Sequence, residues 1–238
     1  MTGAGARPGP VAVFGGTFNP VHLGHLRSAV ELVERLELDE LRFMPCALPP
    51  HREAPGVDAA SRAAMVELAI AGAPRLACDR RELERDGPSY TIDSLLSLRG
   101  ELGSGRSLLL VMGSDALAGL AGWHRWEELL DHCHIVALAR PDAALPDSGP
   151  VAAWLARHRV EADVLRVRPA GGVHVLQLRP LPISATEIRG LVQSGFSARY
   201  LVPDPVLAHI ERHGLYRQEL PGPVKRQVNT QEGNDCQQ

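Results

Sequence analysis

The sequence predicts one α/β domain: a doubly wound, mostly parallel sheet with helices packed on both faces. Three observations point there. The first 44 residues read strand, helix, strand, the pattern of a parallel βαβ unit. Leu108-Leu-Leu-Val-Met112 is an unbroken apolar run, as expected of a strand buried on both faces. Strand-like runs then go on alternating with helical patterns as far as His213.

Residues 1–10 are rich in Gly, Ala and Pro and are expected to be disordered. Val11-Ala-Val-Phe14 is a short apolar run that stops at Gly15-Gly16, a strand ending in a turn. From Leu23 to Leu36 the apolar positions Leu26, Ala29, Val30, Val33 and Leu36 recur at helical spacing. Leu41–Met44 reads as the second strand. Ser61–Ala71 reads as a helix with Ser61 at its N-cap, and Arg75–Cys78 as a strand. Arg80–Asp86 is a charged connection into a helix that starts at Ser89-Tyr90-Thr91 and runs through Leu98. After the 108–112 strand and Gly113-Ser114-Asp115 comes helical material carrying Trp123 and Trp126. Ile135–Ala139 follows as a strand broken by Arg140-Pro141. A loop over 142–150, a helix over 151–159, a strand over Val173–Leu178 and helices over Ala185–Gln193 and Asp204–His213 complete a domain spanning 11–217. Residues 218–238 are polar, with Gln, Asn and Gly, and are expected to form a disordered tail.

Composition narrows the class. A chain of 238 residues, 45% hydrophobic and 22% charged, suits an ordinary globular protein. A net charge of −3 argues against a broad nucleic-acid surface, which needs clustered Lys and Arg. Lys225 is the only lysine, so any phosphate clamp must be built from Arg, His and backbone N–H groups. Cys46, Cys78, Cys133 and Cys236 lie far apart with no C-x-x-C pair, and read as reduced, mostly buried thiols of a cytoplasmic protein. No apolar h-region opens the chain, and no stretch has the roughly 18 apolar residues of a membrane span.

The strongest signal is Gly15-Gly-Thr-Phe-Asn-Pro-Val-His-Leu-Gly-His25. It follows a strand and opens a helix, where free N–H groups and the helix dipole favour an anion. Gly15 and Gly16 let the backbone approach a phosphate with no Cβ in the way. His22 and His25, three apart, can project from the first turn toward one spot and donate to a polyphosphate. A His pair can also hold zinc, but a zinc site needs further ligands and no Cys or Glu is near in sequence. The loop is neither G-x-x-x-x-G-K-[ST] nor G-x-G-x-x-G, which disfavours a P-loop and the usual dinucleotide-cofactor site.

With this loop the sequence resembles the HxGH nucleotidyltransferase superfamily, and Ile183-Ser-Ala-Thr-Glu-Ile-Arg189 resembles its downstream ISSTxxR signature. Taken by itself that second segment is a capped helix with a surface arginine. The resemblance implies a Rossmann-like sheet. It also implies that His22, His25, Ser184, Thr186 and Arg189 contact ATP phosphates, that Thr17 and Phe18 backbone groups lie near the α-phosphate, and that Ile183 and Gly113 belong to the ATP site.

Further segments resemble bacterial nicotinate-mononucleotide adenylyltransferases. They are Pro49-Pro-His51-Arg52, with Arg52 where Lys is usual; Gly87-Pro-Ser-Tyr-Thr-Ile-Asp93; Gly113-Ser-Asp115 followed by Trp123-His-Arg-Trp126; Arg140-Pro141; Leu201-Val-Pro203; and His213-Gly-Leu-Tyr216. The likeness spans residues 11–216. It implies that Thr17, Asn19, His51, Arg52, Tyr90, Thr91, Trp123 and Arg140 bind the nicotinate nucleotide. Tyr90 and Thr91 would offer N–H groups to the pyridine carboxylate, and Asp115 would bond ribose or orient the acceptor. Trp123 could stack on the pyridinium ring or belong to the core, while Trp126 reads as core or rim. Asn19 stands where the family commonly has Asp. The implied partners are ATP, carrying Mg²⁺, and nicotinate mononucleotide, with a homo-oligomer left open. Other readings are a nicotinamide-mononucleotide, pantetheine-phosphate or cytidylyl transferase, or a nucleotide-binding regulator without turnover.

Overall fold

A computed structural model of the chain describes residues 8–47, 56–85, 87, 89–139, 145–179 and 181–217. Six strands, all parallel, form one sheet: β1 (Val11–Gly16), β2 (Glu40–Pro45), β3 (Leu76–Cys78), β4 (Leu108–Gly113), β5 (His134–Ala139) and β6 (Val173–Gln177). Their order is β3-β2-β1-β4-β5-β6. The chain runs outward from β1 to one edge, returns, and runs outward from β4 to the other. The carboxyl ends of β1 and β4 therefore flank the switch point where such sheets bind ligands.

Side-chain alternation along the strands makes two cores. Ala12, Leu41, Phe43, Leu109 and Val111 face one side, against α1 (Leu23–Arg35), α2 (Ala59–Ile70) and α9 (Asp204–Arg212). Val13, Met44, Leu108, Leu110 and Met112 face the other, against α3 (Thr91–Leu102) and α6 (Gly149–Arg157). Helices thus cover both faces, as the sequence predicts. The short α4 (Ser114–Ala118), α5 (Leu129–His132) and two 3₁₀ turns, Leu120–Gly122 and Trp126–Glu128, make up the segment read as helical around the tryptophans. α7 (Val164–Val167) and α8 (Ala185–Gln193) complete the elements among the described residues; α7 was not expected.

Several boundaries differ from the sequence reading. Helix α2 starts at Ala59, and its N-cap is Asp58, not Ser61. The Asp58 carboxylate accepts from the Ser61 N–H at 2.8 Å and from its hydroxyl at 2.7 Å. A carboxylate has acceptor capacity for both donors, and Ala59-Ala60 costs little to wind into a first turn. Helix α6 starts at Gly149 rather than 151, because Pro150 fits the first turn, where its missing N–H is not needed. Helix α3 runs to Leu102, past the expected Leu98. Disorder expected over 1–10 and 218–238 falls mainly outside the described residues. Within them, Gly9 accepts from Arg106 Nε at 2.8 Å and Pro10 from the Asp39 N–H at 3.0 Å, so the strand's approach is pinned. Of the thiols, Cys133 is buried while Cys46 and Cys78 are only half-buried. No described helix is long and apolar enough to cross a membrane.

Candidate active site

A cavity of about 560 Å³ opens at the switch point. It is lined by Gly15 and Gly16 at the end of β1, Thr17 just after them, Gly113 at the end of β4 and Asp115 in the first turn of α4. Ser89, Tyr90 and Thr91 at the start of α3 line it too, with Trp123 and His124. The strands stop here because Gly15-Gly16 and Gly113 end their apolar runs. The first turns of α3 and α4 bring N–H groups that have no partner inside their helices.

The loop from β1 to α1 is shaped by its aromatic residues. Phe18 has φ +47° and is nearly fully buried. A left-handed backbone costs a β-carbon-bearing residue on the order of 1 kcal/mol. The Phe18 ring offsets that cost by packing edge-on to Phe14, His25 and Phe43, at 6.0, 5.1 and 5.4 Å between centroids. Gly16 is required for the same reason, since a Cβ there would lie 2.8 Å from Phe18 Cζ. The chain then enters α1 with His22 as its N-cap and His25 at its third position. Their rings stack at 3.7 Å, and the His22 N–H donates to His25 Nδ1 at 3.3 Å. An Nδ1 that accepts leaves the His25 proton on Nε2.

The two sequence signatures meet in space. Arg189, in α8, donates from Nη1 to the Asn19 carbonyl at 2.8 Å and from Nη2 to Thr186 Oγ1 at 3.2 Å. Ser184 caps α8 by accepting from the Glu187 N–H at 3.1 Å, the capping role weighed for it above. Ile183 is half-buried against the core. Leu201 accepts from the Leu23 N–H at 2.9 Å, which ties the segment after α8 to the start of α1. His22, His25, Ser184, Thr186 and Arg189 are not part of the cavity lining; Arg189 joins α8 to the loop that leads into His22 and His25 through its bond to Asn19.

Tyr90 is the N-cap of α3 and its ring lies 4.6 Å from that of His124. Trp123 lines the cavity, half-buried, whereas Trp126 packs edge-on against Trp154 at 5.2 Å, away from it. The Asn19 side-chain oxygen accepts from the Tyr216 hydroxyl at 2.7 Å, which fixes the orientation of this side chain. Burial pushes the Tyr216 phenol well above its usual range, so it stays a donor. His51, Arg52 and Arg140 lie outside the described residues.

Four site residues were missed. Arg62 fell within the helix read over Ser61–Ala71 with no role given to it, yet it is 1% exposed and reaches the loops beside the cavity. Glu82 sat in a segment read as a charged connection, but it is buried, lines the cavity and accepts from Ser94 Oγ at 2.9 Å. Burial raises its carboxyl above the usual range, against the pull of that hydroxyl. His124 and Tyr216 were quoted within motifs without a role. Among the described residues no group of three His, Cys, Asp or Glu side chains could hold a metal ion.

The family described as cytidylyltransferase-like matches residues 13–191 of this chain. A protein of Pseudomonas putida (strain W619) is 54% identical over 207 residues, 87% of this chain and 94% of its own length. One of Pseudomonas aeruginosa (strain UCBPP-PA14) is 54% identical over 207 residues, 87% of this chain and 97% of its own. Both carry the name probable nicotinate-nucleotide adenylyltransferase. Among solved structures, the Plasmodium falciparum nicotinic acid mononucleotide adenylyltransferase complexed with NaAD superposes with a TM-score of 0.64. That likeness covers 87% of this chain and 97% of the other at 15% identity, and it is one of fold.

Proposed function

This chain belongs to the nicotinate-nucleotide adenylyltransferase family, and from that premise we propose that it transfers AMP from ATP to nicotinate mononucleotide, giving deamido-NAD and diphosphate. An oxygen of the acceptor phosphate attacks the α-phosphorus of ATP in line. The bond from that phosphorus to the bridging oxygen breaks, and diphosphate carries away the electron pair. The attacking phosphate is already ionised at neutral pH, so no general base is needed. Catalysis is then positioning plus neutralisation of charge on the leaving group.

The observation that carries this reading is the stacked His22–His25 pair at the start of α1, with Arg189 bonded to Asn19 of the loop that leads into that pair. It assembles the donors that a lysine-poor chain has for diphosphate. The Gly15–Phe18 backbone and the Ser184–Thr186 turn complete the ATP side, with Gly113 and Ile183 beside them. Tyr90 and Thr91 offer N–H groups to the pyridine carboxylate at the start of α3, Trp123 offers a ring face, and Asp115 lies within reach of a ribose in the cavity. His51, Arg52 and Arg140 belong to the same acceptor side by family likeness. Mg²⁺ enters with ATP. Phosphate oxygens and water would hold it, and it would spread the charge of the polyphosphate.

The test is diphosphate release from ATP and Mg²⁺, with nicotinate mononucleotide set against nicotinamide mononucleotide and His22→Ala as control. Turnover should favour the acid and fall about 10²- to 10³-fold in the variant, the usual cost of removing one charge-stabilising donor. Equal turnover of both acceptors would remove the roles given to Tyr90 and Thr91. Full activity of His22→Ala would overturn the phosphate site.

A further inference from the structure

Among the described residues Arg62 is the largest fully buried side chain, 1% exposed, and its guanidinium bonds there only to backbone carbonyls. Nη1 donates to Thr17 at 2.6 Å. Nη2 donates to Cys46 at 2.7 Å and to Ala47 at 3.3 Å, and Nε to Val57 at 3.3 Å. Thr17 belongs to the loop after β1, and Cys46-Ala47 to the loop after β2; Thr17 and Cys46 both line the cavity. One planar group in α2 thus holds the backbones of two loops that leave neighbouring strands.

From this geometry we propose that Arg62 is a positioning residue that fixes the distance between the loop after β1, at Thr17, and the loop after β2, at Cys46-Ala47, and so the shape of the cavity between them. The proposal rests on the adenylyl-transfer reading above, in which Thr17 stands beside the α-phosphate and both substrates meet in the cavity that Thr17 and Cys46 line. The loops also share one backbone bond, Cys46 N–H to the Gly16 carbonyl at 3.0 Å, which sets where they leave the sheet. Arg62 acts on the carbonyls just beyond that bond, Thr17 on one loop and Cys46 and Ala47 on the other, where its hold decides how the two substrates face one another. Burying a guanidinium is costly, and an apolar side chain of similar volume would fill the space at lower cost. A fork of fixed geometry is what filler cannot supply: its N–H groups reach carbonyls on three segments at once, whereas a lysine ammonium is a point donor on a flexible stem.

Holding two reactants in line is a property of the transition state more than of either bound substrate. Loosening the clamp should therefore lower kcat while leaving both KM values close to wild type. A role confined to stability would lower the melting temperature and leave kcat of the folded enzyme unchanged.

The experiment compares wild type, Arg62→Lys and Arg62→Gln for kcat and both KM values, at a temperature where circular dichroism shows each folded. It uses whichever acceptor the wild type turns over, so an error in acceptor assignment leaves the comparison standing. We expect kcat to fall about tenfold or more in Arg62→Lys, with each KM within about threefold, since a misplacement near 1 Å can cost about a hundredfold. A kcat within twofold of wild type in either folded variant overturns the proposal. So does a loss confined to KM. If neither variant folds, Arg62 is a core residue and the proposal falls with it.

Discussion

Gly24 lies between the two histidines, and the structure says what a single methyl group there would do. A Cβ at this position would meet His22 Nδ1 at 3.0 Å and Cε1 at 3.1 Å, with the Leu181 carbonyl at 3.6 Å. Comfortable contacts lie near 3.5–4.0 Å, so the imidazole must give way by about half an ångström. It cannot do so freely, because its other neighbour is the His25 ring stacked at 3.7 Å. Gly24→Ala is therefore expected to displace the His22 ring, the His25 ring, or both.

Two effects on stability oppose one another. Ala is favoured over Gly in a helix by up to about 1 kcal/mol, and an off-rotamer ring costs about 0.5–1.5 kcal/mol. The net should stay within about 1 kcal/mol of zero, leaving the midpoint of urea unfolding almost where it was. The rate should not be spared. If 1 Å of misplacement can cost about a hundredfold, half of that suggests about tenfold in kcat. Steady-state diphosphate release beside urea unfolding separates the two effects. A kcat within twofold of wild type at unchanged stability would refute the claim that His22 must sit where the missing methyl leaves it. A large fall in stability would show instead that the helix backbone, not the ring, had moved.

Two further outcomes follow from buried polar groups. Tyr216→Phe removes the hydroxyl that donates to Asn19 Oδ1 at 2.7 Å and should cost about 1–3 kcal/mol in urea unfolding, with KM for ATP rising because Arg189 holds the same residue; unchanged stability would mean that the bond contributes nothing. His134, fully buried in β5, accepts the Gly172 N–H on Nδ1 at 2.9 Å and meets the Arg168 carbonyl with Nε2 at 2.9 Å, so a second proton would set two donors face to face. Burial depresses this ring's pKa below the ordinary value of about 6.5, so the unfolded chain binds the extra proton first. That contribution is complete above pH about 6.5 and is lost below it, by up to about 1.4 kcal/mol per pH unit. Unfolding curves from pH 7.5 to 5 should therefore steepen in wild type relative to His134→Gln, and parallel curves would sink the assignment.

The order in which the site became legible follows from the range of the forces involved. Gly15-Gly16, the two histidines and the capped α8 could be read because each is a local device: a turn without a Cβ, a helix start, an i, i+3 pair. Long apolar runs such as 108–112 declared buried strands for the same reason. The strand order and the meeting of the two signatures at Asn19 depend on where separate βαβ units settle, which no window of sequence contains. Asp58 took the cap from Ser61 because the choice lay between two good capping residues in one turn. Arg62, Glu82 and Tyr216 were missed because their partners are supplied by other segments. Tyr216 bonds a residue 197 positions away, and Arg62 spends its donors on carbonyls, which every residue has and no sequence pattern marks. Residues that touch a ligand's phosphates must come with a local backbone arrangement that betrays them. A residue that holds two such arrangements at the right distance needs only reach and a partner, and for that reason the structure alone reveals it.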